Sequence, residues 1–218
     1  MRDVLIIVGQ SGSGKSHFTK NVILPEYPRK ITYDPMNEYE GQYFPQLDEL
    51  IDHCLAHPVF SVRTDDFESF DLICETAYNI ENCCLTVEEI QRVVMPGQKP
   101  PPEFLDIVFR GRHKNVSLIA IAQRASSINI NIRSQFTRFI SFRQSEPNDL
   151  SYIYDICGQR EIVEQLPFLE LGEYVEINNS GTTIIKSKTP ALPAPESEVE
   201  KQEILVDDKW IEIDENNA

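Results

Sequence analysis

The 218 residues, 41% of them hydrophobic, suffice for one soluble globular domain plus a tail and require no second domain. A formal net charge of −15 excludes a generally basic protein that coats nucleic acid, but leaves room for DNA held in a locally basic channel of an assembly. Five cysteines (Cys54, Cys74, Cys83, Cys84, Cys157) without C-x-x-C spacing point to reduced thiols in a cytosol-like compartment rather than to zinc; the start reads as too brief for a signal peptide, and no apolar run approaches a membrane span.

The apolar run Val4-Leu5-Ile6-Ile7-Val8 reads as a buried parallel strand, and it leads directly into Gly9-Gln10-Ser11-Gly12-Ser13-Gly14-Lys15-Ser16. These eight residues fit the phosphate-binding loop G-x-x-x-x-G-K-[ST] at every fixed position, and His17 to Leu24 can continue as the required helix. In such a loop the backbone N–H groups of Gly12 to Lys15 converge and add to the positive end of the helix dipole, so that a polyphosphate is solvated by protein. Lys15 then reaches the β- and γ-phosphates as a point charge, and the Ser16 hydroxyl offers a hard oxygen to Mg²⁺. The expected ligand is therefore ATP or GTP.

Arg29 to Tyr33 reads as a second strand that Asp34-Pro35 terminates. Asp34, Asn37 and Glu38 follow the carboxyl end of that strand, where ligands of open α/β sheets collect; plain turn chemistry explains them equally well. Gln46 to Ala56 is predicted helical, and its His53 and the following His57, four apart, lack a third ligand and read as surface or interface histidines. Pro58 to Arg63 is predicted as a strand and Phe67 to Ile80 as a helix.

Cys83 to Val87 is a compact β-prone run that ends in Glu88-Glu89. Enzymes with a phosphate-binding loop place one acid at such a strand tip to hold Mg²⁺ and a second to polarise the attacking water, so Glu88 is assigned to the metal side and Glu89 to catalysis. An acidic helix start is the plainer alternative. Val93 to Pro102 is too rich in proline for regular structure and serves as a partner or pore loop, or as a connector. Glu103 to His113 is predicted helical, and Val116 to Ala122 as a buried strand delivering Gln123-Arg124 at its carboxyl end, where a glutamine can hydrogen-bond the γ-phosphate or the attacking water. A helix over Ile132 to Phe136, a strand over Arg138 to Phe142, helices over Asn148 to Cys157 and Glu161 to Gln165, and a hairpin of Gly172 to Ile177 with Thr182 to Lys186 complete the expected domain, 1–188.

Taken together, Gly9 to Ser16, a strand ending in Asp34 with Glu38-Tyr39 beyond it, hydrophobics ending in Glu88-Glu89-Ile90-Gln91, Arg110-Gly111-Arg112-His113, and a strand ending in Gln123-Arg124 resemble the FtsK/HerA superfamily of ring-forming DNA-translocating ATPases. The small size resembles, within it, the genome-packaging ATPases of membrane-containing double-jelly-roll viruses. The resemblance covers about residues 1 to 186. It implies an α/β, RecA-like fold with a mainly parallel sheet flanked by helices, a hexameric ring with ATP and Mg²⁺ at subunit interfaces, and double-stranded DNA as partner. It further implies an arginine acting in trans, for which Arg110 and Arg112 lie in the matching segment and Arg124 is a further candidate. Capsid vertex or portal proteins become candidate partners, and the host cytoplasm or the virion the expected location. Glu88 stands where the family uses aspartate.

Residues 189–218 begin with a Pro/Ala linker, Thr189 to Pro195, and continue as an acidic segment around Ile204-Leu205-Val206 and Trp210-Ile211, which either docks on a protein surface or remains a solvating tail. Two other functions compete with the motor: a small-molecule kinase, and an NTP-dependent assembly or secretion component that does not move DNA.

Overall fold

A strand with apolar side chains on both faces must be covered on both, and Val4-Leu5-Ile6-Ile7-Val8 organises the sheet on that condition. The computed structural model describes residues 2–178, 185–189, 203–206 and 209–212. In chain order the strands of the main sheet are β1 (Val4–Val8), β2 (Arg29–Tyr33), β3 (Gln42–Tyr43), β4 (Phe60–Thr64), β5 (Cys84–Val87), β6 (Ser117–Ala122), β7 (Arg138–Ser141), β8 (Glu173–Asn178) and β9 (Ile185–Lys188). The helices are α1 (Lys15–Phe18), α2 (Leu47–Ala56), α3 (Phe70–Ile80), α4 (Pro102–Arg110), α5 (Ile130–Arg133), α6 (Pro147–Cys157) and α7 (Arg160–Gln165).

The spatial order is β3-β4-β2-β5-β6-β1-β7-β8-β9. Every pairing from β3 through β7 is parallel, whereas β7–β8 and β8–β9 are antiparallel. This is the expected α/β architecture, a mainly parallel sheet with a closing hairpin. Strand β1 lies between β6 and β7, with Val8 opposite both Ala122 and Ser141. Its period of two divides the core: Val4, Ile6 and Val8 join Phe70, Ile73, Phe104 and Ile107 on one face, and Leu5 and Ile7 join Phe18, Ile23, Tyr39 and Phe142 on the other.

Several boundaries differ from expectation for local reasons. The helix expected over His17 to Leu24 is α-helical only in α1; Thr19–Ile23 forms a π-helical turn and Leu24–Glu26 a 3-10 turn. Thr19 Oγ1 donates back to the Lys15 carbonyl at 3.0 Å, and Pro25 lacks the N–H needed to continue. Helix α3 starts three residues later than expected, because Asp66 Oδ1 accepts from the N–H groups of Glu68 and Ser69 and holds them in a turn. The helix expected over Ile132 to Phe136 is α5, shifted toward Asn129, whose side chain accepts from the Asn131 N–H. The two-residue β3 is too short to leave a periodic signal.

The same Asn129 anchors the proline-rich loop. Its buried amide donates to the carbonyls of Met95 and Gln98 at 2.9 and 3.0 Å, which closes the turn beneath the exposed Lys99. In the tail, β10 (Glu203–Val206) and β11 (Lys209–Glu212) pair antiparallel as a separate two-stranded sheet, so the two halves of the apolar island lie side by side. Most of the Pro/Ala linker and the residues between β8 and β9 lie outside the described residues. Among the described residues no helix is long and apolar enough to cross a membrane.

Removing the Asn129 amide deprives two loop carbonyls and one helix N–H of their partners. Asn129→Ala is expected to cost about 1–3 kcal/mol of stability and to speed amide exchange at Gly97, Gln98 and Lys99. Thermal melts and hydrogen exchange by mass spectrometry measure both.

Candidate nucleotide site

The phosphate-binding loop turns between β1 and α1 under steric constraint from two neighbours. A Cβ on Gly9 would lie 2.6 Å from Phe142 Cβ and 2.8 Å from Ser13 Oγ, closer than such atoms ever approach. Gly14 has φ 106°, in the left-handed region open to glycine, and a Cβ there would meet Gly172 Cα at 3.2 Å. Hydrogen bonds fix the loop on both sides: Gln10 N–H donates to the Arg143 carbonyl at 3.0 Å, and Gly172 N–H donates to the Ser13 carbonyl at 3.1 Å. The Gln10 side chain donates to Ser145 Oγ.

This scaffold leaves donors aimed at nothing. Among the described residues, the N–H groups of Gly12, Gly14, Lys15 and Ser16 have no protein acceptor, and the buried Ser13 hydroxyl has no partner. Five unanswered donors at a helix start are the donor set that a phosphate chain accepts from. Lys15 is 7% exposed, and its ammonium donates to the Gln10 carbonyl at 3.2 Å. Burial pulls its pKa below the usual lysine range, opposed by the charges of Glu88, Glu89 and Glu38.

The two carboxylates occupy different environments. Glu88, 4% exposed, accepts a hydrogen bond on Oε2 from the Tyr39 hydroxyl at 2.5 Å. Burial pushes its carboxyl up to about 7, assisted by the charges of Glu38 and Glu89 and opposed by the Tyr39 hydrogen bond and Lys15. Burial, with the adjacent Glu88, keeps the Tyr39 phenol far above its usual range, so it acts as a donor. Glu89 is half-buried in the left-handed conformation, φ 50° and ψ 49°. That backbone is uncommon for a residue with a side chain and costs of order 1 kcal/mol. Its Oε1 accepts from Gln123 Nε2 at 2.9 Å and its Oε2 from Gln91 Nε2. Gln123 stands at the end of β6, and its carbonyl accepts from Gln144 Nε2 at 3.0 Å.

Lys15, Glu88, Glu89 and Gln123 are thus brought to the carboxyl edge of the sheet, with Ser16 one residue into α1. The oxygen-rich pair Ser16 and Glu88 has the hard-ligand chemistry of Mg²⁺ and could hold it together with phosphate oxygens. Among the described residues no group of three or more His, Cys, Asp or Glu forms a metal cluster of its own, and the His53 and His57 rings stack at 4.1 Å.

Four residues lie elsewhere or are already engaged. Arg110 and Arg112 end α4 and its 3-10 extension, just before β6 begins. Arg2, ahead of β1, donates to the Val116 and Val108 carbonyls, each at 2.9 Å, which fixes that end of α4 at the amino edge of the sheet. A five-residue strand, about 15 Å, therefore separates both arginines from their own phosphate-binding loop. Arg110 is exposed and pairs with Asp106 at 3.0 Å, while Arg112 Nε donates to His113 Nε2. Arg124 is held at 3.1 Å by the fully buried Asp149. Asp34 performs turn chemistry: its carboxylate accepts from the Glu38 and Tyr39 N–H groups, both at 2.9 Å.

Sequence reading missed the roles of Phe142, Gly172 and Arg143, which flank β7 and β8, far along the chain from the loop. Tyr39 stands out in the sequence only through the family resemblance. A tyrosine five residues beyond a strand-end aspartate was the available signal, but nothing local pairs it with Glu88.

No family model matches the chain. A segment of 75 residues, 34% of this chain, is 37% identical to the DNA double-strand break repair helicase HerA of Sulfurisphaera tokodaii, and spans 15% of that protein's length. By structure, the chain is similar to the genome packaging NTPase B204 of Sulfolobus turreted icosahedral virus 2 in complex with sulfate, with a TM-score of 0.75 at 22% identity over 87% of this chain and 98% of that one. The same protein in complex with AMPPCP gives 0.73 at 20% identity, over 87% and 98% of the two chains. VirB4 of Thermoanaerobacter pseudethanolicus gives 0.59 at 16% identity, over 87% and 89%.

The raised Glu88 carboxyl sets a pH dependence. Because its folded pKa exceeds the unfolded value, the folded protein is stabilised by the bound proton at low pH and loses that advantage as pH rises from about 4.5 through about 7. In the absence of nucleotide and metal, Glu88→Gln is expected to raise the melting temperature at pH 8, by an amount corresponding to at most about 3 kcal/mol, and to change it little at pH 5. Paired melts at the two pH values measure the difference. The chain has the RecA-like P-loop fold and is similar to FtsK/HerA-type ATPases, by sequence over the HerA segment and by fold over most of its length.

Proposed function

We propose that this chain is an ATP-hydrolysing motor that translocates double-stranded DNA, working as a homo-oligomeric ring, and that its task is packaging a viral genome into a capsid. The observation that carries the proposal is the convergence of Lys15, Glu88, Glu89 and Gln123 at one sheet edge, in a fold that matches a viral genome packaging NTPase over 98% of that chain. The donors of Gly12, Gly14, Lys15 and Ser16 would bind and orient the triphosphate. Ser16 and Glu88 are the residues that would hold Mg²⁺, which would supply charge neutralisation on the bound triphosphate. Glu89 would orient and polarise the attacking water, its carboxylate aimed by Gln123 and Gln91 and by its left-handed backbone. Gln123 touches Glu89 with one end of its amide, so it can report to the base whether a γ-phosphate is present.

The position of Arg110 and Arg112 supports catalysis across a subunit boundary. Neither can reach its own site from the opposite sheet edge, and a head-to-tail neighbour can present them to the γ-phosphate. DNA contact in so acidic a chain falls to a few exposed cations repeated around a ring. Lys99 on its anchored loop is the foremost of these. Contacts of that kind touch phosphates and carry no sequence preference.

ATPase activity with and without duplex DNA tests the function. Lys15→Ala should abolish nucleotide binding or turnover, Glu89→Gln should bind but not hydrolyse, and duplex of any sequence should stimulate the parent protein, less so as salt rises. Lys99→Ala should retain ATPase activity and lose displacement of a roadblock from DNA. Absence of both stimulation and displacement in a verified oligomer would favour the assembly-factor function, and a phosphorylated metabolite as product would favour the kinase.

Arg110→Ala and Arg112→Ala should each be tested alone and mixed with Lys15→Ala. At least one arginine variant is expected to lose about 10³-fold or more in turnover and to regain activity on mixing, since each partner then supplies what the other lacks. Full activity in a strictly monomeric sample would dispose of catalysis in trans.

A further inference from the structure

The buried carboxylate Glu88 has an unusual partner. A glutamate carries one more methylene than an aspartate, so its carboxyl group samples more positions unless something fixes it. In this chain the Tyr39 hydroxyl does so, donating to Glu88 Oε2 at 2.5 Å, while Oε1 accepts from no protein donor among the described residues. The two residues lie 49 apart in sequence and meet because β2 and β5 are neighbours.

Tyr39 is itself held from several directions. Its N–H donates to Asp34 Oδ2 at 2.9 Å, and the adjacent Glu38 N–H donates to Asp34 Oδ1. Asp34 is 2% exposed, so this double acceptor is a fixed post at the end of β2. Lys20, five residues beyond Lys15, donates to the Glu38 carbonyl at 2.9 Å and lies 5.9 Å from the centre of the Tyr39 ring. The ring packs with Phe18, Ile23 and Leu24, on the sheet face covered by the segment that follows the phosphate-binding loop. The hydroxyl is therefore aimed from a buried ring whose backbone is hydrogen-bonded to Asp34, and both termini of the link are buried.

We propose that Tyr39 is a positioning residue for the metal side of the nucleotide site: by occupying one oxygen of Glu88 it fixes the longer glutamate arm, so that the other oxygen faces the place where Mg²⁺ joins the triphosphate. This rests on the assignment of Glu88 to the metal side in the proposed ATPase. Asp34 serves the same end at one remove, by fixing the backbone that carries Tyr39. Supporting groups of this kind typically change metal affinity by about 10–100-fold when removed. Phenylalanine preserves the ring and its packing and removes only the hydroxyl.

Binding of a fluorescent ATP analogue, titrated in EDTA and across a Mg²⁺ series, measures the effect without recourse to turnover. Tyr39→Phe should bind the analogue in EDTA as the parent does, within about twofold, and should need about tenfold more Mg²⁺ to reach the tightly bound state. The Glu88→Asp arm is too short to keep the same link, so Tyr39→Phe should add little in that background, giving a strongly non-additive double-mutant cycle. Circular dichroism melts of all variants establish that they fold. If Tyr39→Phe shows the parent's Mg²⁺ dependence, or if its effect is fully additive with Glu88→Asp, the positioning role is overturned while the ATPase assignment stands on the Lys15→Ala result. An unchanged Mg²⁺ dependence in Glu88→Gln would remove the metal-side assignment of Glu88, and the role of Tyr39 with it.

Discussion

The contact between Gly9 and Phe142 is the constraint on which the rest of the site depends. At 2.6 Å from Phe142 Cβ there is no space for a side chain at position 9, so the loop leaves β1 tucked against the end of β7. From there Gln10 binds the Arg143 carbonyl and Ser13 receives the Gly172 N–H, so the loop is clamped between residues that follow β7 and precede β8. A loop fixed in this way presents its free N–H groups without having to order them when a ligand arrives, which is the energetic advantage of a preorganised anion site.

Around that loop, electrostatics and burial oppose each other. Lys15 is dry enough to lose part of its preference for the charged form, and the carboxylates of Glu88, Glu89 and Glu38 restore part of it. Glu88 is drier still and leans toward its neutral form. An incoming triphosphate adds negative charge beside both groups and a bound cation adds positive charge, so neither suits the site well without the other. Glu89 differs because it is only half-buried and hydrogen-bonded through both oxygens, and this separates two adjacent carboxylates into distinct chemical environments.

The parts of this arrangement that were legible in sequence are those written in local spacing. Gly9 to Ser16 specify a backbone path by themselves, and the uninterrupted apolar runs of β1 and β6 announce buried parallel strands. Gln123 was legible because a strand end fixes its place in the sheet. The opposite-edge location of Arg110 and Arg112 follows from chain order once α4 is seen to lead into β6. What escaped depends on strand order, which no local pattern encodes: the Tyr39–Glu88 link needs β2 beside β5, and the Gly14–Gly172 approach needs β8 to follow β7 outward from β1. The π-helical turn after α1 escaped for another reason, since apolar residues at Phe18, Val22 and Ile23 fit either helical period.

The sheet has two borders, and they are finished differently. One is β3, two exposed residues long, whose Tyr43 ring lies under the Arg63 guanidinium at 5.1 Å; the other is β9, a four-residue strand with lysines at positions 186 and 188. A border so short, or so charged, is a poor template for a further strand from another molecule. These borders favour association of copies through side-chain surfaces over a ladder shared between sheets. Such surfaces can slide and rotate against one another without breaking a ladder of backbone hydrogen bonds, and a continuous intermolecular sheet would not permit that freedom.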